Sequence, residues 1–131
     1  NAQGADIVWH VAGGSGFGVF EAAKQVGFYS MGTDANQNGL DPERIMSSTI
    51  KSVDVAIYRE AQALVQGNWS GGEKSLGLKE EGLDVTWEDT EVPIPDEVKE
   101  RANMFKQQII NGMCIPATPA ELESFKKELQ E

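Results

Sequence analysis

The stretch that most constrains this chain is a short apolar run followed at once by a cluster of glycines. Residues 7–12 are β-branched, aromatic or small, and the length of the run suits a buried strand. Glycines then stand at positions 13, 14, 16 and 18, and apolar residues recur at helical spacing from Val19 to Val26. The order of strand, glycine turn and helix predicts an α/β unit, whose ligands bind at the carboxyl ends of the strands.

Charge and cysteine content exclude several classes of function. The chain has 131 residues, about one domain, and its 21 acidic and 11 basic residues give a net charge of −10. Nucleic acids and anionic membranes are bound through clusters of Lys and Arg, and the sequence contains none, so no nucleic-acid partner is expected. The single cysteine, Cys114, excludes a disulfide within the chain and is interpreted as a small core side chain.

The rest of the chain alternates predicted strands with predicted helices. In chain order these are strands at 28–33 and 45–50, a helix at 52–66, a hairpin or broken strand at 75–79 and 83–87, a helix at 96–111 and a last helix that opens at Thr118. Such alternation is typical of the α/β class.

The residues that follow the first three predicted strands form a candidate ligand site. Gly13 and Gly14 let the backbone approach a ligand closely, Asp34 can accept hydrogen bonds from vicinal hydroxyls, and Lys51 can donate one. Because parallel strands end at the same edge of a sheet, we expect these positions to converge. Each also has a plainer interpretation that the residues leave open: a structural tight turn, an Asx-turn and a surface salt bridge, respectively.

Trp9 and His10 stand beside this candidate site. In a regular strand they project to opposite faces of the sheet. We therefore expect one of them to pack against a helix and the other to be free to line the pocket.

Specific nucleotide-binding and hydrolase motifs are not matched. A dinucleotide fingerprint that began at Gly14 would need a glycine in place of Val19, and no P-loop Gly-Lys-Ser/Thr is present. Ser15 would need a glycine in place of Phe17 to form a nucleophile elbow. His10 is the only histidine, which excludes a histidine metal cluster. No catalytic residue, metal or cofactor is expected.

Several ordered motifs resemble the basic membrane protein (BMP) family. Members of this family are substrate-binding lipoproteins of ABC importers and are similar to the purine nucleoside receptor of spirochaetes. The matching stretches are residues 5–24, 31–34, 47–56, 76–82 and 109–116. The resemblance covers essentially the whole chain, which corresponds to the carboxyl-terminal part of such a protein. Glu80-Glu81-Gly82 departs slightly from the usual Glu-Gly-Gly of the family.

The resemblance implies a type I periplasmic-binding-protein-like fold, a three-layer α/β arrangement of a parallel sheet with flanking helices, of which only the carboxyl-terminal part is present. It assigns residues 1–51 to the second lobe and residues 52–95 to a hinge crossing and a first-lobe portion. Residues 96–131 would return to the second lobe and carry the carboxyl-terminal helix. A core strand so close to the first residue also leads us to expect a piece of a longer protein.

The function that the resemblance implies is capture of a nucleoside, most simply a purine nucleoside, by lobe closure. The expected partners are the ligand, the ABC permease subunits and the missing amino-terminal part of the same protein, outside the cytoplasmic membrane and held there by a lipid anchor that this chain does not carry. By motif position, Gly13, Gly14, Asp34 and Lys51 would contact the sugar, and Trp9 or His10 would line the pocket.

Three other functions stay open from the residues alone. They are a small α/β enzyme that acts on a riboside, a binding protein for another sugar-like ligand, and a cytoplasmic regulatory relative. The charge of −10 disfavours the last of these.

Overall fold

The computed structural model describes residues 4–113 of the chain. Its strands and helices, in chain order, are β1 (Ile7–Trp9), α1 (Phe17–Val26), β2 (Tyr29–Gly32), β3 (Ile45–Lys51), α2 (Val53–Val65), β4 (Leu83–Thr86) and α3 (Asp96–Ile110), with short 3₁₀ turns at Gly13–Gly16 and Asn38–Leu40. Cys114 and the predicted last helix lie outside the described residues.

The sheet has the strand order β1-β2-β3-β4 and is mixed. Strands β1, β2 and β3 are parallel, as predicted, but β4 runs antiparallel to β3, so the expectation of a wholly parallel sheet is corrected at this edge. The chain leaves β3 at Lys51, and the amide of Ser52 donates to the carbonyl oxygen of Gly82 at 2.9 Å. Leu83 pairs with Lys51, so the chain re-enters the sheet where β3 ends and must run backwards along it.

Two strand predictions differ from the structure in extent. The first strand was predicted over 7–12, but β1 ends at Trp9 because His10 turns into the core and the glycine turn follows. Of the two alternating segments, only Leu83–Thr86 is a strand, and residues 75–79 contain none. The predicted strands at 28–33 and 45–50 and the predicted helices at 52–66 and 96–111 are confirmed, with small changes at their ends.

The core lies between α1 and the central strands. Within the described residues its buried apolar side chains are Phe20, Ala23, Phe28 and Ile45. Helix α1 packs against β2 and ends at Gly27, whose φ of 87° is the left-handed conformation that commonly closes a helix. Buried polar side chains share this core, and they are His10, Ser30, Asn38, Ser47 and Ser48.

Helix α2 contrasts with α1 because it buries none of its residues. Its exposed large apolar side chains are Val53, Ile57, Tyr58, Leu64 and Val65. Such an apolar stripe normally packs against another element.

The chain divides into one compact unit that ends at Pro95 and another that begins at Asp96. In the second unit, α3 buries no described residue, and the guanidinium of Arg101 lies 5.9 Å from the ring centre of Phe105. The assignment of segments to two lobes stays a prediction. Among the described residues, no helix combines the length and the apolar character needed to cross a membrane.

Candidate ligand-binding site at the strand ends

The glycine turn links β1 directly to α1. The amide of Ser15 donates to the carbonyl oxygen of Ala12 at 3.2 Å, and the 3₁₀ turn continues into the helix without a break. Gly13 has a φ of 51°, which side-chain-bearing residues rarely adopt. Gly13 and Gly14 are both exposed, so their backbone is accessible at the carboxyl end of β1.

His10 lies beneath this turn rather than on its exposed side. Its ring is 5% exposed and meets the ring of Phe20 edge-on, with 5.0 Å between ring centres. A Cβ added to Gly16 would lie 2.1 Å from ring atoms Cε1 and Nδ1 of His10, so a glycine is required there for the helix to approach. Of the two residues predicted to face opposite sides, His10 is therefore the one that packs against a helix.

Trp9 lies on the accessible side and joins the ends of β1 and β2. The indole is 52% exposed, and its Nε1–H donates to Oγ1 of Thr33 at 2.9 Å. The Thr33 hydroxyl in turn donates to the carbonyl oxygen of His10. These bonds hold the Trp9 ring beside the first residues after β2.

Asp34 and Lys51 meet at the ends of β2 and β3. Lys51 Nζ lies 3.0 Å from Oδ1 of Asp34, and the Lys51 amide donates to the Asp34 carbonyl oxygen at 3.0 Å. Their side chains are 49% (Asp34) and 55% (Lys51) exposed, so the ion pair itself contributes only about 0–1 kcal/mol to stability. Asp34 also has a φ of 73°, an uncommon conformation for a residue with a side chain.

The ends of these parallel strands lie at one edge of the sheet, and the convergence of their site residues on a single ligand stays a prediction. Gly13 and Gly14 follow β1, Asp34 follows β2 and Lys51 ends β3, and these three strands are parallel neighbours in the sheet. The salt-bridge interpretation of Lys51 is confirmed as a contact, and both charged groups remain half exposed.

Sequence reasoning missed the polar side chains that support this edge. Gln37, Asn38 and Ser48, here called the amide network, are joined by hydrogen bonds between the loop after β2 and the middle of β3. The loop over 35–42 is rich in turn-forming residues. The two adjacent amides at 37 and 38 were the available signal, but such residues are common in ordinary turns.

The chemistry of this edge suits recognition of a polar ligand. It offers a carboxylate acceptor, an ammonium donor, an exposed indole and accessible glycine backbone. Across residues 4–113, no group of three or more His, Cys, Asp or Glu side chains could hold a metal ion.

Comparison with known proteins identifies relatives over nearly the whole chain. Residues 1–118 match the family described as ABC transporter substrate-binding protein PnrA-like, or Bmp. Basic membrane protein D of Borreliella burgdorferi is 31% identical over 98% of this chain and 39% of its own length. An uncharacterised lipoprotein of Pyrococcus abyssi is 35% identical over 98% of this chain and 31% of its own length. The chain thus spans less than half the length of these relatives.

Solved structures with the same fold include solute-binding proteins. One from the ABC transporter system of Aeropyrum pernix K1 has a TM-score of 0.76 at 28% identity, covering 99% of this chain and 45% of that protein. A transcriptional activator of the comK gene from Bacillus halodurans has a TM-score of 0.79 at 23% identity, covering 88% of this chain and 40% of that protein, a likeness that shows the fold alone. The match over residues 1–118 shows that this chain belongs to the Bmp family of PnrA-like substrate-binding proteins of ABC transporters.

Proposed function

We propose that this chain supplies one wall of the ligand site of a non-enzymatic solute-binding protein, and that the ligand is a nucleoside, with purine nucleosides as the first candidates. The observation that carries the proposal is the Asp34–Lys51 pair at the ends of adjacent parallel strands. A carboxylate can accept two hydrogen bonds from the vicinal hydroxyls of a ribose, and the neighbouring ammonium can donate to a ring or hydroxyl oxygen.

The ion pair also prepares the edge for its ligand. In the free protein Lys51 partly balances the charge of Asp34, and about half of each side chain is accessible to solvent. When a second wall closes over a bound sugar, that water is displaced, and the charge-assisted hydrogen bonds gain strength in the drier site. Ligand that bridges both walls favours the closed state over the open one.

The exposed apolar face of α2 supports a two-lobe arrangement. Ile57 and Leu64 lie seven residues apart on one face and are 66% and 65% exposed. We propose that this face packs within the first lobe, against the amino-terminal part of the whole protein. In this arrangement residues 1–51 form the second-lobe wall, residues 52–95 cross the hinge and residues 96–131 return to the second lobe.

The family supports a proposal for the partners and the location. We propose that the whole protein delivers its ligand to ABC permease subunits. It would do so outside the cytoplasmic membrane, held by a lipid anchor beyond this chain. Relatives named as lipoproteins support this location.

Calorimetric titration of inosine, guanosine and adenosine into the whole protein tests the proposed ligand. We expect saturable binding with no conversion of the nucleoside. Absence of binding by every nucleoside and sugar tried would contradict the proposal. Consumption of a riboside would instead favour an enzyme, an alternative that the family assignment does not support.

A second candidate ligand is another sugar-like molecule. The observation in its favour is that Asp34 and Lys51 both offer contacts suited to hydroxyls, and neither is specific for a base. Competition between free ribose and inosine distinguishes the two candidates. Displacement of inosine only by large excesses of ribose supports the nucleoside, whereas tighter binding of ribose than of inosine supports the sugar.

A further inference from the structure

We infer that Gln37 and Asn38 are positioning residues that hold Asp34 in its left-handed conformation at the strand-end edge, an inference that rests on the proposed function. Neither side chain is expected to touch the ligand. Their effect passes through hydrogen bonds to the residues around Asp34.

Asn38 anchors the loop to two neighbouring segments. Its side chain is completely buried, although the loop that carries it follows an exposed aspartate. The Oδ1 atom accepts a hydrogen bond from Ser48 Oγ at 2.7 Å, and Nδ2 donates to the carbonyl oxygen of Glu88 at 2.7 Å. Both ends of the amide are satisfied, as a buried amide requires, so the loop is held to β3 and to the segment after β4 at once.

Gln37 connects the same network to the start of the loop through hydrogen bonds to Ser48 and Thr33. Its backbone amide donates to Ser48 Oγ at 3.1 Å, and its side-chain Oε1 accepts from the amide of Thr33 at 2.9 Å. Thr33 immediately precedes Asp34. The residues on both sides of the left-handed turn at Asp34 are therefore tied to the same network.

The amide network packs closely against the backbone of β2. A Cβ on Gly32 would lie 2.4 Å from Ser48 Oγ and 2.9 Å from Gln37 Oε1. The backbone of β2 is thus in direct contact with the amide network, one residue before Thr33. A shift of Gln37 or Ser48 would move the point at which the chain leaves the sheet.

The Asp34 side chain depends on this support because its own ion pair is a weak restraint. Its ion pair with Lys51 is half exposed, and its φ of 73° is uncommon for a non-glycine residue, although aspartate tolerates it better than most. A wall that offers a carboxylate to two hydroxyls needs that carboxylate at a defined position. The amide network supplies that restraint from behind the site.

Substitution of Gln37 separates positioning from general stability, since only its side-chain acceptor atom is used. Gln37→Glu keeps an acceptor for the Thr33 amide, whereas Gln37→Leu removes it. Gln25→Leu, an exposed amide of α1, is the matched control. Each variant is examined by amide hydrogen exchange at Thr33 and Lys51 and by inosine titration of the whole protein.

We expect Gln37→Leu to speed hydrogen exchange at the Thr33 and Lys51 amides. We also expect it to weaken inosine binding by about tenfold, which corresponds to the free energy of about one hydrogen bond. Gln37→Glu should retain most of the amide protection and most of the inosine affinity, and Gln25→Leu should change neither the protection nor the affinity. A folded Gln37→Leu protein with unchanged exchange at both amides overturns the inference.

The proposed function can fail separately from this inference. If the unaltered whole protein binds no nucleoside, the proposed ligand is wrong, and the exchange rates still decide whether Gln37 restrains the turn. Should Gln37→Leu not fold, Asn38→Asp is measured in the same way, because it keeps the acceptor for Ser48 and loses the donor to Glu88. Unchanged exchange at Thr33 and Lys51 in that variant also overturns the inference.

Discussion

Single residues in this chain are constrained most where backbone and side chains come closest. Gly16 touches the ring of His10, and Gly32 touches Ser48 and Gln37. In neither case does a positive φ demand the glycine, since the reason is lack of space. Within residues 4–113, neither ring nitrogen of the buried His10 has a hydrogen-bond partner, and the ring packs against Phe20 and the glycine turn.

Gly16→Ala is expected to destabilise the chain, because its Cβ would lie 2.1 Å from the His10 ring. Overpacking of this kind typically costs about 1–3 kcal/mol in the free energy of unfolding. Gly14→Ala is the matched control in the same turn, since a Cβ there meets nothing within 4 Å. Urea unfolding followed by circular dichroism measures both, and equal stability of the two variants would contradict the close contact.

Asp34→Asn is expected to weaken nucleoside binding by the whole protein at least about tenfold, because it replaces charge-assisted acceptors by a neutral amide. Asparagine tolerates the left-handed backbone, so the turn itself should survive. Asp89→Asn is the control, since Asp89 is also exposed and has a φ of 61°. Calorimetric titration gives the two affinities, and an unchanged affinity for Asp34→Asn would remove this carboxylate from the site.

At the scale of elements, the two helices of the first unit behave differently. Helix α1 buries Phe20 and Ala23 against the sheet, whereas α2 buries nothing. Both sequences have an amphipathic repeat, so the repeat alone does not say which helix finds a partner within this chain. The two-lobe proposal can be tested by finding out whether α2 packs against another part of the whole protein.

Leu64→Gln is expected to change the stability of the 131-residue chain by no more than about 0.5 kcal/mol, because Leu64 is 65% exposed. In the whole protein the same change should cost about 2–4 kcal/mol, since the proposal buries this side chain in the first lobe. Gln62→Ala, roughly opposite on the helix, should have little effect in either. Thermal unfolding compares them, and a small effect of Leu64→Gln in both proteins would contradict the proposed packing of α2.

At the scale of the whole molecule, the strand-end edge leaves its candidate site residues accessible. Asp34, Lys51 and Trp9 all remain about half exposed. A ligand held on one side only would keep much of its hydration, and charged contacts in water are weak.

The 131-residue chain is therefore expected to bind inosine at least about 100-fold more weakly than the whole protein, a difference of about 2.7 kcal/mol. Parallel titrations of the two proteins under the same conditions measure this. Equal affinities would show that the second wall contributes nothing and would contradict the two-walled site.

The order of elements, the first three strands and the edge where they end were all predictable from the sequence. Apolar runs, glycine stops and helical spacing are local signals, and parallel strands necessarily end together. These signals alone predict that Gly13, Gly14, Asp34 and Lys51 lie at one edge. The ordered motifs also indicate the family, which the match over residues 1–118 confirms; they lie at residues 5–24, 31–34, 47–56, 76–82 and 109–116.

The tertiary structure alone decided the direction of β4, the separate positions of Trp9 and His10, and the amide network. Each depends on what lies beside a residue in space rather than along the chain. The return of the chain at Leu83 next to Lys51 reverses the last strand, and the packing of α1 over His10 leaves Trp9 exposed. Asn38 becomes a buried anchor only because Ser48 and Glu88 supply the partners that a buried amide requires.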